Sequence, residues 1–108
     1  MNIIKATLLG LTMSISAIGF SQSFEETATA QTELMTTALN LSDAQIERVK
    51  ILNLTVAEKI EAIQNNPSLS PEKKIEFIDG NKSDRKIVLK SILTEVQFNE
   101  FLAIEDQF

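Results

Sequence analysis

Carboxylates, ammonium and guanidinium groups, hydroxyls and side-chain amides are the polar repertoire of this 108-residue chain, which has no Cys, His, Trp or Tyr. Without imidazole, a serine triad cannot be assembled, and the commonest general base and transition-metal ligand are missing. Without thiols there is no disulfide, no thiolate metal site, no thiol nucleophile and no cysteine for lipid attachment. Two carboxylate pairs remain, Glu58 with Glu61 and Glu105 with Asp106. Either could attract a hard cation. Yet no stretch alternates acids around a turn glycine as a calcium loop does. A paired-carboxylate hydrolase also needs a pocket, and a few packed helices offer little room for one. The sequence therefore predicts a protein that is not an enzyme, with no catalytic residue, no metal and no cofactor.

The strongest pattern is a repeated box. Leu41-Ser42-Asp43-Ala44-Gln45-Ile46 is matched 52 residues later by Leu93-Thr94-Glu95-Val96-Gln97-Phe98. Each slot has a physical reason. The hydroxyl of Ser42 or Thr94 can accept from a free backbone N–H at a helix start, and the Gln three residues on can reach back to the cap's own N–H. The intervening acid meets the positive end of the helix dipole. Leu41 with Ile46, and Leu93 with Phe98, occupy the two positions of a hydrophobic staple. Two well-made helix starts account for the whole pattern without any further function.

Other side chains could bind protein chains. Residues 73–90 carry six basic against three acidic side chains, although the whole chain has a net charge of −5. Lys82, Lys86 and Lys90 step by four, which makes one helix face basic. With Arg85 they could hold acidic parts of a client, or be neutralised by the chain's own acidic helices. Phe77 and Phe108 are candidates for an exposed client-binding patch, with Phe108 expected outside the core. Phe98 and Phe101 are expected inside it.

Four helices are predicted to position these groups. Apolar residues recur at helical spacing, and no alternating strand pattern is present. The first helix spans about Glu25 to Leu39, with Ala28, Leu34, Met35, Ala38 and Leu39 as its apolar side. Its many threonines predict fraying. The second runs from about Asp43 to Asn65 on a stripe of Ile46, Val49, Leu52, Val56, Ile60 and Ile63, and stops before Pro67. The third starts at Ser70-Pro71-Glu72, carries Ile75, Ile78, Val88, Leu89 and Ile92, and continues through Gly80. One interior Gly costs only about 1 kcal/mol, which favours one continuous helix over the alternative of two short ones with Ser83 capping the second. The fourth runs from Thr94 to about Ile104 with Val96, Phe98, Phe101, Leu102 and Ile104 apolar.

Residues 1–21 have a different composition. Lys5, an uncharged run from Ala6 to Phe20, and the small residues Gly19 and Ser21 give the three-part layout of a secretory signal peptide cut before Gln22, with cuts after Gly19 or Ser23 as alternatives. The apolar run is too short for a span of about 20 residues. Cleavage leaves a single domain of residues 22–108. It removes Lys5 alone, taking the net charge from −5 to −6, which argues against nucleic acid as a partner. Such a small domain buries little surface, so a second copy could complete its core.

Paired L-[ST]-x-x-Q boxes in a signal-bearing helical chain resemble the LTxxQ family of small periplasmic proteins, of the Spy and CpxP type. The likeness covers roughly residues 33–102 and is closest at Ile92 to Phe101. It implies an extracytoplasmic all-α protein, often a curved antiparallel dimer, acting in some members as an ATP-independent holdase or envelope-stress modulator. The chain departs from that pattern in its closer boxes, its acidity and its lack of His, so metal sensing is not implied. The expectation is thus a periplasmic or secreted all-α protein built on a long antiparallel helix hairpin. Its partners would be unfolded proteins, with no membrane contact after cleavage. The alternative is a helical adaptor or structural protein that binds one specific partner or its own copy.

Overall fold

Residues 23–108 are described by a computed structural model; the expected signal segment, 1–21, lies outside the described residues. Four helices follow one another: α1 (Phe24–Leu39), α2 (Asp43–Gln64), α3 (Pro71–Ile92) and α4 (Glu95–Ile104), with a terminal 3₁₀ turn at Glu105–Gln107. The fold is all-α, and there is no strand among the described residues.

Each boundary has a local cause. Ser23 caps α1 in a capping box with Glu26, which donates its N–H to the Ser23 hydroxyl at 3.2 Å and accepts from the Ser23 N–H at 3.0 Å. This Ser-x-x-Glu signal was present in the sequence and was missed there. Helix α1 ends at Asn40, whose left-handed backbone (φ 55°, ψ 56°) reverses the chain; Asn tolerates that region better than most side chains. Helix α2 stops ahead of Pro67, and the Lys74 ammonium donates to its Gln64 carbonyl at 2.9 Å. Helix α3 begins at Pro71 behind the Ser70 cap and passes unbroken through Gly80, as expected.

The short loop at 65–70 folds α2 and α3, each 22 residues, into an antiparallel hairpin. At 1.5 Å per residue, each helix is about 33 Å long. Helix α1 also packs along α2, while α4 crosses one end against α1 and α3. Helices α1 and α3 both lean on α2, and between their own backbones only side chains meet, in the core cluster and at Gln31 and Arg85. The extents are 40 × 37 × 21 Å, so the molecule is a slab about two helix diameters thick.

The core lies where α4 crosses. Met35, Leu39, Leu41, Val49, Leu89, Ile92, Leu93, Phe101 and Phe108 form one buried cluster, with Ile46, Leu52, Phe98 and Ile104 against it. Three rings run through it in series: Phe98 and Phe101 have centroids 6.3 Å apart, Phe101 and Phe108 5.7 Å. Phe108 is therefore a core residue, only 6% exposed, and the expectation that it lies outside is corrected. The terminal 3₁₀ turn folds it back beneath α3.

The phase of several stripes also differs from the reading. Leu34 and Ala38 of α1 face outward, and Thr32 takes the buried position between Ala28 and Met35. Helix α1 accommodates its threonines by back-bonding. Thr32 and Thr36 donate their hydroxyls to the carbonyls of Ala28 and Thr32, at 2.8 and 2.7 Å. Thr32 meets Asn53, fully buried on α2, whose Nδ2 donates to the Thr32 hydroxyl at 3.1 Å. Ile75 and Val88 of α3, and Val96 and Leu102 of α4, are exposed rather than buried.

Candidate functional site

The two boxes meet. Both do their capping work: Ser42 accepts from the Gln45 N–H at 3.2 Å, and Thr94 from the Gln97 N–H at 3.1 Å. In return, Gln45 and Gln97 each accept from the cap's backbone N–H at 2.9 Å. The staple residues Leu41 and Leu93 are buried, with Ile46 and Phe98 against the same core.

The fold then brings the two Gln amides together. Gln45 Nε2 donates to Gln97 Oε1 at 2.7 Å, and Gln97 Nε2 donates back to Gln45 Oε1 at 3.2 Å. Gln45 Nε2 also donates to the Ile92 carbonyl at 3.2 Å, just ahead of the second box. Gln97 Nε2 donates to the Leu39 and Asn40 carbonyls at 3.2 and 3.5 Å, just ahead of the first. The result is a local pseudo-twofold clasp, in which each amide oxygen accepts two bonds and each amide nitrogen fills its donors. Glu would cap equally well but has no donor. The second amide function explains why the slot holds Gln. The clasp is structural: its polar atoms are all used on the protein itself.

The basic positions on α3 divide. Lys82 is exposed. Lys86 donates to Glu105 at 3.0 Å, and Lys90 lies 5.9 Å from the Phe98 ring centroid. Two of the three lysines are thus engaged with the chain's own terminal segment. Arg85 is not on that exposed face. It is only 3% exposed, which corrects its place among the surface client-binding residues. Burial lowers its pKa from the ordinary arginine value, while arginine stays cationic in proteins.

A second surface is apolar. Phe77 and Val88, 42% and 41% exposed, are eleven residues apart and so share one face of α3. Val88 lines a groove of about 370 Å³ between α2 and α3, with Arg48, Ile51, Leu52 and Thr55 on the facing helix. Ile51 is 64% exposed. Ile51 and Ile87 were not singled out in the sequence. Their signal was that they are apolar yet out of phase with the buried stripe.

No helix among the described residues is long and apolar enough to cross a membrane. No curated protein matches the chain, and no solved structure matches it. Residues 19–101 match the family described as "Domain of unknown function (DUF4890)". That match takes in the first three helices and both boxes, and the chain belongs to that family.

Proposed function

We propose that this is an extracytoplasmic binding protein without enzymatic activity, which shields unfolded protein chains and needs no nucleotide. The observation that carries the reading is the solvent-facing apolar surface of the α2–α3 hairpin: the groove between Ile51 and Val88, with the exposed Phe77 about three turns along α3. Contiguous exposed apolar surface on a small protein marks an interaction site. A hairpin held by a clasp at one end presents that surface on rigid helices. The charged Arg48 at the groove would keep such a complex in solution. The signal-like residues 1–21 and the likeness of the boxes to the LTxxQ family support the extracytoplasmic and holdase parts of the reading.

Light scattering tests it. A denatured client is diluted into buffer with and without the protein, lacking ATP, at two salt concentrations. Suppression at up to equal molar ratio is expected. An apolar surface predicts weak salt dependence, whereas binding through Lys82, Lys86 and Lys90 would be screened. No suppression at several-fold excess, from protein shown to be helical, would sink the proposal. Stoichiometric capture of a single partner, or a concentration-dependent dimer that covers Ile51 and Val88, would instead establish the adaptor reading.

A further inference from the structure

Because α1 and α3 both pack on α2 while their backbones stay apart, a gap runs between them that side chains only partly fill. At the box end, Phe108 plugs it. Beyond Phe108 it opens as a cleft of about 220 Å³. Val56, Ala57 and Ile60 of α2 form its apolar floor, and Phe24 and Gln31 of α1 stand on one side. Lys82 and Arg85 of α3 stand on the other.

Arg85 is the unusual member. A buried guanidinium normally faces a carboxylate, and this one has no ion pair among the described residues. Its Nη1 donates to Gln31 Oε1 at 3.3 Å, and Nε is buried with no partner. The Phe108 ring covers one face, with its centroid 5.8 Å from Cζ. Nε is sealed from solvent, whereas Nη2 is left with no acceptor among the described residues and not sealed, a charged donor for a carboxylate oxygen. Lys82, also without an ion pair, adds a second positive charge at the rim. Glu61 lines the cleft too and offsets part of that charge.

We propose that this cleft binds a small organic carboxylate with a short apolar body: the carboxylate on Nη2 of Arg85, the body on Val56, Ala57 and Ile60. The volume limits the ligand. It falls below the ~300–1,000 Å³ typical of pockets for drug-sized molecules. The site is independent of the exposed groove at Ile51 and Val88. Two sources share the chemistry, a free short-chain acid and the C-terminal carboxylate of a chain ending in an apolar residue.

The test is a titration of the isotope-labelled protein, followed by NMR, with hexanoate, N-acetyl-leucine and the neutral isostere hexanamide. Saturable shifts centred on Gln31, Ala57, Ile60 and the Arg85 side chain are expected with hexanoate or N-acetyl-leucine, at a Kd of about 1 mM or tighter. Whichever binds more tightly identifies the source. Hexanamide should bind at least about tenfold more weakly, since it lacks the charge-assisted bond to Arg85. Arg85→Met should lose binding by a similar factor with its thermal midpoint held or raised, because a buried cation without an acid partner adds little stability. The exposed Lys82→Gln, which leaves the fold alone, should weaken the acids and not hexanamide; Glu61→Gln should strengthen them. No saturable shift with either acid at 10 mM, equal binding of hexanamide, or unchanged binding in the Arg85 and Lys82 variants would overturn the proposal.

Discussion

At the residue scale, two polar contacts carry sharp consequences. The Gln45–Gln97 clasp joins sites 52 residues apart by amide bonds in both directions. Gln45→Glu keeps the capping acceptor but loses both Nε2 donations, leaving the Ile92 carbonyl short of a partner. We expect a loss of about 1–3 kcal/mol in urea unfolding. Gln97→Glu should cost a similar amount, and the double variant should depart from additivity by at least about 0.5 kcal/mol. Simple additivity would mean that the caps act separately and the clasp contributes nothing. Asn53 offers the opposite case, because its Oδ1 is buried with no partner. The Thr32 hydroxyl keeps its bond to the Ala28 carbonyl without it. Asn53→Leu should therefore hold or raise stability, by up to about 1 kcal/mol. A loss larger than that would show that the Asn53–Thr32 bond is needed to seat α1 on α2.

At the element scale, Gly80 is the clearest experiment. It is exposed in the interior of α3, and a Cβ there would meet nothing within 4 Å. Gly80→Ala should stabilise by about 0.5–1 kcal/mol, because alanine loses less backbone freedom on folding; a lower thermal midpoint would mean that the helix needs flexibility at that turn. The helix boundaries were legible in the sequence because their signals are local. Ser42, Ser70 and Thr94 each cap the helix they precede, and Pro67 ends α2 where expected. The buried faces were less legible. Thr32, Asn53 and Arg85 lie in the interior because they partner one another's elements, a long-range matter that hydrophobic periodicity does not encode. Phe108 was misplaced for the same reason: a chain end is exposed by default unless a neighbouring element, here α3 with Arg85, gives it a seat.

At the scale of the whole molecule, the two halves of the slab have different characters. The box end is closed by the core cluster and the clasp. The other end and the outer face of the hairpin leave apolar side chains in solvent, Ile75 and Ile87 among them. The sequence made the clasp's residues visible as a repeat but not their meeting, since the 52-residue spacing says nothing of how α2 and α4 approach. Of the exposed surface the sequence offered only Phe77; Ile51 and Val88 were missed for a related reason, since whether an apolar residue at helical spacing is covered depends on which neighbour arrives. The central claim is that this surface binds protein chains. The most direct measurement compares the parent protein with the Ile51→Glu/Val88→Glu variant in suppressing client aggregation, with helicity and thermal midpoint matched. Both substitutions fall on solvent-facing positions, so the fold should survive them. The account predicts suppression by the parent at up to equimolar ratio and loss of most of it in the variant. Equal suppression by the two proteins, or none by the parent, would contradict it.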